Sequence, residues 1–149
     1  MQWLNRAINS LNSTNQQKDF KWEKRYEIGH SRIDFEHQIF VDLIQKIAHE
    51  VKLGTNKKYM ERLLYEIRKY TEFHFISEEN IMYSINYPEY ETHKKLHEGL
   101  LETFSQQLMG IELNEQTIDT FLDFLGGWFV NHTLNEDKKI ANFVKGKNI

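Results

Sequence analysis

The feature that most constrains this chain is an apolar stripe that repeats at alternating spacings of three and four residues. Ile33, His37, Phe40, Ile44, Ile47 and Val51 follow it, as do Met60, Leu64, Ile67, Thr71, His74, Glu78, Ile81 and Ile85. So do His93, His97, Leu100 and Phe104, and then Ile118, Phe121, Leu125, Trp128 and His132. That spacing keeps one face of an α-helix turned toward a partner. Gly54 and Gly110 are natural stops for the first and third runs, Pro88 stands where the third begins, and Asn114 is a candidate cap for the fourth. Four such helices with short connections predict an all-α, antiparallel, up-down-up-down bundle. Ahead of it, Trp3, Leu4, Ala7, Ile8 and Leu11 form a short amphipathic segment, and 12–19 (NSTNQQKD) reads as a polar linker. The expected division is 1–19 as an N-terminal extension and 20–149 as the bundle.

The stripe is not uniformly apolar. His37, His74, Glu78, His93, His97 and His132 all occupy positions that face the core. A buried ionisable group is costly unless it is paired or binds a metal, and one histidine could be satisfied by a hydrogen bond. Six such residues on four helices argue for a cation. His74 and Glu78 are four residues apart, so they project about 40° apart on one face. His93 and His97 repeat the arrangement. Asp137 lies five residues beyond His132, about 140° round an ideal helix, yet the apolar stripe resumes from it at Ile140 and Val144. A π-type bulge or a local break between 132 and 137 turns both side chains inward. The alternative is that the helix ends near His132 and Asp137 caps a new turn.

Composition removes most competing chemistries. The chain has no cysteine, so disulfides, thiolate metal sites and a cysteine nucleophile are excluded. Its formal charge of −3 supplies no footprint for nucleic acid. No apolar run is long enough for a membrane span, and the start lacks a secretory pattern, so a cytoplasmic protein is expected. Five imidazoles and two carboxylates exceed the needs of one tetrahedral zinc. They suit two first-row metals, iron first among them. Ferritin-like sites need two Glu-x-x-His motifs, whereas Glu27 to His30 is upstream of the first helix.

The motifs resemble those of the hemerythrin family in its single-domain bacterial form. The matching residues are Trp22, Tyr26 and Gly29, then Ile33-Asp34-Phe35-Glu36-His37 and His74-Phe75-Ile76-Ser77-Glu78-Glu79 with Met82. Tyr87-Pro88 leads to His93 and His97, and Trp128-Phe129-Val130-Asn131-His132 is followed by Asp137. The resemblance covers roughly residues 20 to 145. It implies two non-haem irons, one held by His93, His97 and His132 and the other by His37 and His74. Glu78 and Asp137 would bridge them together with an oxide or hydroxide. It also implies that oxygen is taken up at the open position of the two-histidine iron, as two electrons move from the di-ferrous centre.

Trp128, Phe129 and Thr133 are the expected walls of the oxygen pocket. The family usually has leucine at the position of Phe129 and an aliphatic residue at that of Thr133. The bulkier ring is expected to restrict access, and the hydroxyl to hydrogen-bond a ligand or admit water. Gly126 and Gly127 each cost ~1 kcal/mol in a helix relative to alanine, which points to close packing against a neighbouring helix. Trp22 and Tyr26 are expected to pack the N-terminal loop onto the bundle, Met82 to fill core, and His30 and His49 to face solvent.

The function this implies is reversible oxygen binding for transport, storage or delivery, by a binding protein that is not an enzyme, with an oxygen-consuming or signalling protein as partner. The alternatives are an oxygen- or redox-sensing module, for which residues 1–19 are the available docking segment, and a di-iron enzyme such as a peroxidase or nitric oxide scavenger.

Overall fold

The computed structural model describes residues 20–147, so the expected N-terminal segment and linker lie outside the described residues. A single 3-10 turn, Lys24–Tyr26, precedes the helices α1 (Ser31–Lys52), α2 (Lys57–Ser84), α3 (Tyr90–Glu112) and α4 (Ile118–His132). A π turn, Thr133–Asp137, joins α4 to α5 (Lys138–Gly146), so the two form one interrupted fourth helix. α1 packs on α2, α2 on α3, α3 on α4 and α4 on α1. With short loops between them, this is the up-down-up-down bundle that the stripes predict.

Local chemistry sets the ends. His30 caps α1 through Nδ1, which accepts from the Ile33 amide at 3.3 Å, so this half-buried residue has a structural role beyond facing solvent. Asp34 secures the same corner by accepting from the amides of Ile28 (2.8 Å) and Gly29 (3.1 Å). Gly54 ends the first helix at φ +67°, where a side chain would be strained. Asn56 caps α2 by accepting from the Tyr59 amide at 2.9 Å.

Three expectations about the stripes are corrected. α3 runs through Gly110 to Glu112, and the Gly110 carbonyl accepts from the amides of Glu115 (2.8 Å) and Gln116 (3.2 Å) in the turn beyond. Asn114 takes the left-handed conformation in that turn, φ +58°, and Thr117 is the residue that caps α4, its hydroxyl accepting from the Thr120 amide at 3.1 Å. At the end of α2, Met82 is fully buried and Ile81 only half so, because four residues from Glu78 follow the helical repeat more closely than three.

The interior is layered. Phe40, Ile44, Ile47, Val51, Met60, Leu64, Ile67, Phe104, Phe121 and Leu125 belong to one continuous apolar cluster. Ile28, Ile33, Met82, Tyr87, Ile140 and Ala141 form a smaller one. The seven buried histidines and carboxylates expected from the sequence fall between these clusters along each helix: His37 between Ile33 and Phe40, His74 and Glu78 between Ile67 and Met82. No helix among the described residues is long and apolar enough to cross a membrane.

Candidate metal centre

Each helix delivers its share of the polar layer from one face. His37 comes from α1, His74 and Glu78 from α2, His93 and His97 from α3, and His132 and Asp137 from the two ends of the π turn. That turn inserts the extra residue which the stripe requires, and both side chains are buried. The five imidazoles converge through Nε2. His37 Nε2 is 3.1 Å from His74 Nε2, and His132 Nε2 is 3.1 Å from His93 Nε2.

The two carboxylates lie between these groups and divide their oxygens. Glu78 turns Oε1 toward His93 (2.7 Å) and His97 (3.1 Å), and Oε2 toward His74 (3.3 Å). Asp137 turns Oδ1 toward His132 (3.0 Å) and His93 (3.1 Å), and Oδ2 toward His37 (3.1 Å). Two compact donor sets result, Glu78–His93–His97–His132–Asp137 and His37–His74–Glu78–Asp137, each with its ligand atoms within 4.8 Å of one another. They share both carboxylates.

The protein alone does not satisfy this layer. Glu78 Oε2, His97 Nε2 and both oxygens of Asp137 are buried without a hydrogen bond. Unpaired buried polar atoms cost on the order of 1–3 kcal/mol each. Nitrogen and oxygen donors left open toward a common centre fit first-row metal ions. The electrostatics agree. Burial opposes charge on Glu78 and Asp137, yet the surrounding imidazoles hold both well below the usual carboxylate range. Burial likewise opposes protonation of His74 and His93, but the carboxylates Glu36 and Glu78 raise His74 to about 10, and Asp137 and Glu78 raise His93 to about 9. The layer is a set of mutually stabilised charges that a cation can take over.

Comparison with known proteins decides the family. A family model, Hemerythrin HHE cation binding domain, matches residues 29–144. The chain belongs to the hemerythrin family. Similar relatives include a bacteriohemerythrin of Clostridium acetobutylicum, 29% identical over an alignment of 127 residues that covers 80% of this chain and 97% of the relative. A bacteriohemerythrin of Stenotrophomonas maltophilia is 25% identical over 83% of this chain and 80% of its own length. A myohemerythrin of Theromyzon tessulatum is 26% identical over 80% of this chain and 89% of its own length.

Two carboxylates around this centre stand within the matching motifs but were given no role from the sequence. Glu36 accepts from His74 Nδ1 at 2.7 Å, and also from Ser77 (2.8 Å) and Arg32. Despite burial, these donors hold Glu36 down at about 2. Glu79 accepts from His97 Nδ1 at 2.8 Å. Such partners orient a metal-binding imidazole and fix its tautomer. Their sequence signal is adjacency: each stands next to a candidate ligand, one step of about 100° round the helix, and so reaches a histidine on the neighbouring helix.

Aromatic rings close the centre. Phe75 stacks on His97 at 3.8 Å and Trp128 on His132 at 4.4 Å. A small cavity borders the two-histidine set, lined by His37, His74 and Asp137 together with Phe40, Thr71, Phe75, Trp128 and Phe129. Its volume is about 10 Å³. Of the expected pocket residues, Trp128 and Phe129 line this cavity. Thr133 is buried with its hydroxyl unpartnered and is not among the lining residues. Thr71 is, but its hydroxyl donates to the Ile67 carbonyl at 2.7 Å and is spent on its own helix. The two glycines of α4 also differ from expectation. Gly126 lies under the ring of Phe20, from the segment ahead of α1, and Gly127 has nothing within 4 Å of where a side chain would start.

Proposed function

We propose that this chain binds oxygen reversibly at a non-haem di-iron centre and acts as an oxygen carrier or store in the cytoplasm. His93, His97 and His132 would hold one iron, His37 and His74 the other, with Glu78 and Asp137 shared between them. The observation that carries the reading is the cavity beside the two-histidine set, where one donor group is smaller and the adjoining wall is aromatic. Iron held by these residues would supply the electrons for oxygen binding.

The protein's part is to hold and to exclude. Glu36 and Glu79 orient His74 and His97 from behind. Phe40, Phe75, Trp128 and Phe129 keep the cavity apolar, so that water and protons have few polar partners within it. The buried carboxylates offset the charge of the metals in a low-dielectric layer, where an unbalanced charge is expensive. Oxygen is admitted to the anaerobic ferrous protein and then removed under argon, with absorption recorded throughout. An absorption band that appears and then disappears, with both irons retained, supports carriage. A spectrum that argon cannot reverse argues for sensing or redox chemistry, and a chain that retains no iron ends the proposal.

A further inference from the structure

The two imidazoles of the smaller donor set are not supported alike. His37 Nδ1 is buried without a hydrogen bond, whereas His74 Nδ1 donates to Glu36 Oε1 at 2.7 Å. Glu36 Oε2 in turn takes the Ser77 hydroxyl at 2.8 Å and the guanidinium of Arg32, one turn earlier on α1. The backbone at this point is also held, because the Tyr70 hydroxyl donates to the Glu36 carbonyl at 2.6 Å. The Glu36 side chain is 3% exposed, but that of Arg32 is 58% exposed. Arg32 and Ser77 both line an open groove of about 400 Å³ on the α1–α2 face. The buried carboxylate therefore lies just under the surface, with Arg32 over it. Without Arg32, Oε2 keeps one hydroxyl donor and gains a path to water, and a carboxylate turned toward the groove no longer meets His74. Glu79, the carboxylate behind His97, has no arginine paired with it among the described residues.

We propose that Arg32 is a positioning residue for the metal centre: from the surface it holds Glu36 against His74, and so secures iron in the two-histidine set while the other iron is independent of it. The inference rests on the di-iron part of the reading above and not on reversible oxygen binding. The sign of the effect separates positioning from charge. As a cation beside a cation site, Arg32 repels the metal, and its removal by charge alone would strengthen binding. As a clamp on Glu36 it has the opposite effect. Loss of the partner behind a metal-bound imidazole lowers metal affinity by about 10- to 100-fold, and Arg32 acts one contact further out, at the lower end of that range.

The test loads wild type, Arg32→Gln, Glu36→Gln and the double variant with ferrous iron under argon, then adds an excess of a ferrous chelator. Iron release is followed by the absorption of the chelate, and a denaturation midpoint is recorded for each protein. In Arg32→Gln one iron per chain is expected to leave about tenfold faster than in wild type, and the other at the wild-type rate. In the Glu36→Gln background the same substitution is expected to change nothing further, because residues that act through one contact are not additive. Glu79→Gln is expected to speed the other iron, so that Arg32→Gln/Glu79→Gln releases both early. If Arg32→Gln does not fold, Ser77→Ala removes the second donor to the same oxygen and carries the same comparison. Slower or unchanged release in Arg32→Gln, faster release of both irons together, or an equal acceleration in the Glu36→Gln background overturns the role of Arg32. Any of these with two irons held by wild type leaves the di-iron reading standing. A wild type that retains no iron removes the reading and the inference together.

Discussion

The large apolar cluster and the polar layer above it are built from the same four helices with the same repeat, yet they answer opposite problems. In the first, Ile44, Ile67, Phe104 and Phe121 fill the space with side chains that need no partner. In the second, seven ionisable side chains occupy equivalent inward positions and leave three buried carboxylate oxygens and two imidazole nitrogens without hydrogen bonds. Apolar burial stabilises the chain whatever it has bound. The polar layer is satisfied only when something cationic occupies it. One region therefore makes the fold, and the other makes a site within it that a cation would satisfy.

The largest effect should come from breaking the shared carboxylates. Glu78→Gln removes an anion that faces both donor sets, and the expected outcome is loss of stable iron from the pair, not from one position. Metal analysis after gel filtration checks this; retention of both irons would mean that Glu78 is not shared. Phe121→Ala tests the other region. Removal of a fully buried ring costs about 3–5 kcal/mol, read as a lower denaturation midpoint, while the iron that remains folded in is unchanged per chain. If the two substitutions have the same signature, the separation of fold from site is wrong.

Glu36→Gln probes the contact between the regions at a smaller scale. It keeps the shape but weakens the acceptor for His74 Nδ1, and loss of such a partner lowers metal affinity by about 10- to 100-fold. The competition between iron and a chelator measures it. Acid should act in the same direction. His74 and His93, raised to about 10 and about 9 by neighbouring carboxylates, are protonated at neutral pH when no metal is bound, and a metal needs them neutral. Iron uptake therefore releases protons, and affinity rises with pH between 6 and 9, by up to about tenfold per unit for each proton displaced. An affinity independent of pH over that range would show that the imidazoles carry no proton to displace.

Much of this was legible because helical periodicity places residues without reference to contacts. The stripes located the bundle, and the phase slip between His132 and Asp137 signalled the π turn. The polar positions within the stripes located the residues that the fold brings together. What was not legible depends on approach between elements. Asn114 and Thr117 are both good capping types, and only the left-handed turn at Asn114 leaves the cap to Thr117. Glu36 and Glu79 lie off the stripe and act across a helix pair. Gly126 suggested a helix contact and instead receives Phe20, a residue whose own segment has no regular repeat. Phe40, Thr71 and Phe75 join the cavity wall because three helices converge there, which no single helix encodes.

The smallest prediction sharpens the comparison from the apolar end. Thr117→Ala removes the side-chain acceptor that satisfies the Thr120 amide at the start of α4. An N-cap of this kind is worth about 1 kcal/mol, so a modest fall in thermal midpoint is expected. Ile118, Phe121 and Leu125 separate that cap from His132 at the other end of the same helix. If fold and site are independent to first order, iron content and chelator competition both stay at wild-type values. If iron is lost along with the cap, α4 transmits fraying through four turns to the π turn. The apolar region would then be setting the geometry of Asp137 as well as the stability of the chain.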